Sequence, residues 1–161
     1  YTADGAQPLH DTIHHDGWQG PNPKNYTREP QIHGRFESAF VDLIQLSEAD
    51  LMPLMSTPQV LADPFAAILA HLDDASQRVE EVYEMDGRKA FANKDDQQAR
   101  ALATRQLARA AVLLRDLTYT AWVGSAKPAP PPGTVANPIL TTHPQYNPET
   151  GTAAPGPGVS R

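Results

Sequence analysis

Nine of the chain's 16 prolines fall in its last 36 residues, including Pro130, Pro131 and Pro132 and the PGPG run at 155–158. Proline donates no backbone N–H and fixes its own φ, so a stretch this rich in it sustains neither a helix nor a central strand. The packed part is therefore expected to be residues 1–125, followed by a Pro/Gly-rich tail at 126–161 that is disordered or extended. A body of that length can bury one core without disulfides or a structural metal. A metal bound here would be functional rather than a folding staple.

Within the body, apolar residues recur at helical spacing. Ile32, Phe36, Ala39, Phe40, Leu43 and Ile44 predict a helix over 32–46. Ser47 fits an N-cap for a short turn through Leu51. Asp63 and Pro64 make a cap and a first-turn proline, and the stripe from Phe65 to Tyr83 carries a second helix over 64–84, which Gly87 stops. A third stripe runs from Ala99 through Leu102, Leu107 and Leu114 to Ala121, predicting a helix over 96–123 that ends at Gly124. No segment alternates apolar and polar residues over a strand's length, so the body is expected to be all-α, without a sheet of three or more strands. Residues 11–31, with Gly17, Gly20, Pro21, Pro23 and Pro30, read as a long loop, and long ordered loops are usually functional.

Charge and composition narrow the chemistry. Residues 1–125 hold 11 Lys and Arg against 18 Asp and Glu, a net of −7, and no basic run interrupts them. Tight binding to duplex nucleic acid needs a basic surface that displaces counterions, so that class is excluded for the body. The absence of cysteine excludes disulfides and thiolate zinc sites, leaving His, Asp and Glu as metal ligands. No leader pattern and no apolar run of about 18 residues is visible, so neither a signal peptide nor a membrane span is expected in the sequence.

On the helix over 32–46, His33 and Glu37 stand one turn apart within the apolar arc. A carboxylate facing a core needs a cation, and a histidine at i, i+4 can share one zinc ion with it. The spacing also allows a plainer arrangement, with His33 bonded to a backbone carbonyl and Glu37 paired with a nearby arginine such as Arg28. His14, His15 and Asp16 either form a second metal or acid–base group or shape the wall of the first. Trp18 and Tyr26 either pack the loop or stack on a ligand. His71, near an apolar stripe, reads as structural, and His143 belongs to the tail.

The run Ala3-Asp4-Gly5-Ala6-Gln7-Pro8-Leu9-His10, the loop with Trp18 and Pro21-Asn22-Pro23, and then HGRFE at 33–37 together resemble the superfamily of zinc-dependent phospholipases C and single-strand-specific nucleases. The resemblance covers residues 1–45 by motif and extends to 124 as compatible helices. It implies a helical-bundle hydrolase holding three zinc ions. Of that cluster this chain would supply one full protein ligand set, His10, His33 and Glu37, with Asp4 as the carboxylate bridging the other two ions. The family histidine four residues before Asp4 would stand ahead of Tyr1, so the chain is expected to be the C-terminal part of such a domain, partnered by its missing N-terminal part.

By the same resemblance the activity is phosphodiester hydrolysis of a phospholipid or a single-stranded nucleic acid, in a secreted or periplasmic enzyme. The chain alone is expected to bind zinc but to hydrolyse poorly or not at all, with no general base assigned. A different expectation is a non-catalytic zinc-binding helical protein whose Pro-rich tail binds partner domains.

Overall fold

A computed structural model describes residues 1–126, together with the backbone of Tyr146–Asn147 and Thr152–Ala153. The body is all-α. Helix α1 runs without a break through three stretches: α-helical Gln31–Gly34, π-helical Arg35–Phe40 and α-helical Val41–Ile44. It is followed by α2 (Glu48–Leu51), α3 (Pro64–Ser76), α4 (Val79–Gly87) and the long α5 (Gln97–Ser125). Short 3-10 turns lie at Asp4–Ala6, Met52–Leu54 and Ala90–Ala92. In the segment beyond the body, Tyr146 pairs with Ala153 and Asn147 with Thr152 in an antiparallel two-residue ladder. Among the described residues no helix is long and apolar enough to cross a membrane. Apart from Ala126 and the four residues of that ladder, the tail expected to be disordered or extended lies outside the described residues.

The π stretch changes which face of α1 is buried. A 3.6-residue period puts Ala39 and Leu43 in the apolar arc, yet both are exposed, and the buried line is Ile32, Phe36, Phe40 and Ile44, each four residues from the last. The wider π turn lets a strict four-residue spacing stay on one side, where it would drift around an α-helix. Phe36 and Phe40 then meet Phe91 with ring centroids 5.1 and 5.3 Å away. Leu9, Val82, Tyr83 and Leu102 complete the centre of the core.

Helix α1 stops at Gln45, in the left-handed region at φ 45°, two residues before its expected end. Arg100 of α5 caps that end by donating to the Ile44 carbonyl at 2.9 Å, and its other arm reaches Asp50 at 3.0 Å. Ser47 donates to the same Asp50 carboxylate from both its backbone N–H and its hydroxyl, at 2.8 and 2.7 Å, and the first of these is the returning half of a capping box.

The single helix expected over 64–84 is two helices. The Ser76 hydroxyl donates to the Asp73 carbonyl at 2.8 Å, and the Arg78 N–H turns to the Ala75 carbonyl at 3.0 Å, three residues back instead of four. These local bonds tighten the chain and end α3 before α4 begins. Beyond it α4 continues through Gly87, and α5 likewise passes Gly124, which meets nothing that a helical glycine would disturb.

Asp96 starts α5 by accepting from the Ala99 N–H at 2.9 Å, and Arg88 grips the same carboxylate with both arms. The Arg88 bonds first, and the Ala99 N–H second, hold its pKa at about 2, below the ordinary 3.8. A depressed carboxylate stabilises the fold above its unfolded pKa, and that contribution disappears as pH falls from 3.8 towards about 2. Asp96→Ala is expected to cost about 1 kcal/mol, the usual value of a lost cap. Thermal melts should show the gap between parent and variant narrowing across that acidic window, and a gap independent of pH would disprove the ionic part of the cap.

Candidate metal centre

The turn at Asp4–Ala6 leads into Gln7, whose side-chain oxygen accepts the Leu9 N–H at 3.0 Å while its carbonyl accepts the His10 N–H at 3.0 Å. Pro8 and Leu9 are fully buried beneath this turn, so the QPLH segment is anchored by its middle and presents His10 at its edge. His33 lies in the first turn of α1, and Glu37 follows one turn later in the π stretch.

Three donors converge. His10 Nε2 and His33 Nε2 are 2.9 Å apart, Glu37 Oε2 is 2.8 Å from the second, and 3.6 Å separates it from the first. Ligands bound to one zinc at about 2.0–2.2 Å in a tetrahedron stand about 3.3 Å from each other; two of the three separations here are shorter, at hydrogen-bond length, and one is longer, so the side chains would have to open slightly to admit an ion. His33 is three-quarters covered, while the Glu37 side chain is 47% exposed and leaves the group open to solvent on its side. Glu37 therefore lies beside the buried line of α1 rather than facing the core.

The other ring nitrogens set the tautomers. His10 Nδ1 faces the Asp4 carbonyl at 2.9 Å and the Asp4 carboxylate at 3.1 Å, both acceptors, so this nitrogen carries the proton. His33 Nδ1 faces the Asp16 carboxylate at 3.4 Å, with the same consequence. Both Nε2 lone pairs then point at each other and at a carboxylate. One added proton serves one of these contacts well, whereas a divalent cation satisfies all three donors together, and each imidazole keeps the outer carboxylate typical of metal-bound histidine. Burial pushes the Asp16 carboxyl up, but its hydrogen bonds with His15 and His33 outweigh that and hold it below the usual range.

Asp4, given a bridging role by resemblance, stands on the Nδ1 side of His10 and outside the converging group. The Arg28 pairing open to Glu37 is not formed, because Arg28 donates to the Trp18 and Gly20 carbonyls at 3.1 and 2.8 Å. His14 stacks on Trp18 with centroids 3.9 Å apart and accepts the Gln19 N–H, which makes it a wall residue. His15, Asp16 and His33 form a second group of possible donors, but it reuses His33. His71 is buried and bonds the Thr2 carbonyl at 2.9 Å, fixing the segment before Asp4. Trp18 and Tyr26 pack with Tyr83 under the loop. Burial raises the Tyr83 phenol to about 12. His143 lies outside the described residues.

The loop is held at Gly17, where φ is 99° and a Cβ would stand 2.4 Å from the Arg28 carbonyl oxygen. That close approach brings Asp16 up to His33. The link was not readable from spacing, although HHDG does place a carboxylate beside a required turn. A cavity of about 290 Å³ adjoins the centre, with Asp4 and Glu37 in its lining and Phe36 and Val41 behind them. Gln106, also in the lining, interrupts the apolar stripe of α5, and that interruption was the visible signal for it. Compared with protein-family models, with curated proteins and with solved structures, the chain has no match.

Proposed function

We propose that residues 1–125 bind one zinc ion through His10, His33 and Glu37 and form part of a zinc-dependent phosphodiester hydrolase. The observation that carries this is the convergence of two Nε2 atoms and one carboxylate oxygen, each imidazole backed by an acceptor on its far side. Two neutral imidazoles and a carboxylate suit zinc, and three protein ligands leave a coordination position open. When bound, zinc supplies Lewis acidity towards water and towards a phosphoryl oxygen.

The chain's own groups have separate tasks. His10 and His33 hold the ion, and Glu37 brings the negative charge that partly neutralises it. Asp4 and Asp16 fix the two rings, since each rotation that would turn an Nε2 away breaks an Nδ1–H bond. No residue is assigned as the general base. The motif resemblance extends this reading to a phospholipid or single-stranded nucleic acid substrate, to a secreted or periplasmic setting, and to an N-terminal part of the same domain that completes a three-ion cluster.

Because the second donor group shares His33, the described residues assemble one complete ligand set at a time. This favours a second reading, a non-catalytic zinc-binding helical protein whose Pro-rich tail engages partner domains. Elemental analysis after dialysis against zinc should return close to one ion per chain. Turnover of bis(p-nitrophenyl) phosphate should be slow, saturate with zinc at that stoichiometry and vanish on chelation. Bound zinc with no turnover at any loading would leave the second reading, and no bound zinc would end both.

A further inference from the structure

Tyr83 is the largest fully buried side chain among the described residues, and its ring supports Trp18 and Tyr26 at centroid distances of 5.3 Å each. Its hydroxyl reaches out of the core. It donates to the His14 carbonyl at 2.5 Å, a partner 69 residues earlier in the chain. Burial raises this phenol's pKa to about 12 against the opposing pull of the Gly17 N–H, so the group remains a proton donor across the neutral range. A buried tyrosine hydroxyl needs some acceptor, and that need alone would explain a bond to any nearby carbonyl. What singles this one out is the turn it holds.

Residues 14–17 are fastened at both ends. Tyr83 holds His14, and at the other end Gly17 lies against the Arg28 carbonyl, followed by the Trp18 N–H donating to the Thr27 carbonyl at 2.9 Å. Asp16 sits between these fastenings, with its carboxylate 3.4 Å from His33 Nδ1 and 3.1 Å from His15 Nδ1. The contact with His33 is near the outer limit of a hydrogen bond, so a displacement of the turn by about 0.3 Å would remove it. We propose that Tyr83 is a positioning residue of the metal centre: by holding the His14 carbonyl, its hydroxyl sets the distance from Asp16 to His33, and through it how strongly His33 holds an ion. A carboxylate on the Nδ1–H raises the basicity of Nε2 and keeps the ring from turning. Tyr83 itself stays away from the ion, and its influence passes from α4 to α1 through the loop. The role in affinity rests on the zinc-binding reading, whereas the link from Tyr83 to His33 exists without metal.

The test uses the full chain and Tyr83→Phe, which keeps the ring and its packing and removes only the hydroxyl. Half-buried His14 can turn the freed carbonyl to water, so the variant should fold. Tyr26→Phe is the comparison, because the Tyr26 hydroxyl bonds Glu80 and Glu84 instead of the loop. In the metal-free protein, nitrogen NMR reads the tautomer balance of the His10 and His33 rings. Tyr83→Phe should shift His33 away from the Nδ1–H form while His10, held by Asp4, keeps it, and Tyr26→Phe should move neither. A shift of both rings in Tyr83→Phe, or of neither, would overturn the proposal, since general loosening moves both and an idle hydroxyl moves none. In zinc competition, Tyr83→Phe should weaken binding about fivefold in the parent and leave it unchanged in Asp16→Asn, where the carboxylate it positions is already gone. Equal losses in the two backgrounds would overturn the proposal by making Tyr83 a support of the fold alone. A parent that binds no zinc would overturn the metal reading and with it the role in affinity, whereas an unmoved His33 ring in a zinc-binding parent would overturn the Tyr83 assignment alone.

Discussion

Glu37→Gln is expected to weaken zinc binding at least about a hundredfold, because losing an outer-sphere partner alone costs about 10- to 100-fold and this change removes an anionic ligand. The neutral amide keeps the shape of the side chain but brings no charge to the ion, and its NH₂ competes for the imidazole lone pairs. Asp42→Asn removes the same charge from an exposed position further along α1 and should leave affinity unchanged. Asp16→Asn should fall between them, at about tenfold, since it loosens His33 without touching the ion. Competition against a chromophoric chelator measures all three beside the parent. Affinity in Glu37→Gln equal to the parent's would dispose of the metal centre, and most of the case for a phosphodiesterase with it.

The largest effect on folding should come from Phe40→Ala. Phe40 is fully buried, closes the π stretch and packs on Phe91. Truncating a buried phenylalanine costs about 3–5 kcal/mol, against a total stability of about 5–15 kcal/mol for a typical domain. Phe65→Ala, at a side chain 68% exposed, should cost little. Because the π stretch also carries Glu37, Phe40→Ala should lower zinc affinity under conditions where the protein is still folded. Denaturant midpoints read the first effect and chelator competition the second. A midpoint for Phe40→Ala matching that of Phe65→Ala would mean that Phe91 and its neighbours close the space.

The contrast between α1 and α3–α4 shows what the sequence could reveal. His33 and Glu37 sit on one helix, so their proximity follows from spacing alone, and the stripe of α5 likewise marks a long helix. The break at Gln77 and Arg78 was not legible, because Val79, Val82 and Tyr83 continue the apolar period across it while a single hydroxyl, Ser76, redirects the backbone. The π stretch was hidden for a related reason: a four-residue repeat is also compatible with an ordinary helix, and only the burial of Phe40 together with the exposure of Ala39 separates the two. In the candidate metal centre, the arrival of His10 and the position of Asp16 depend on the path of a loop through Gly17 and Arg28. Such a path is set by tertiary contacts and leaves no periodic trace in the chain.

The mixed winding of α1 makes it a straight-edged ruler. With four residues to each effective turn, positions 32, 36, 40 and 44 fall on one rung line, and 33, 37 and 41 fall on the next. The second line therefore carries His33, then Glu37, then Val41 on the cavity wall. Four residues advance about 6 Å along a helix axis. Inserting or deleting one residue between Glu37 and Val41 would therefore put the converging donor atoms and the cavity wall out of step with each other.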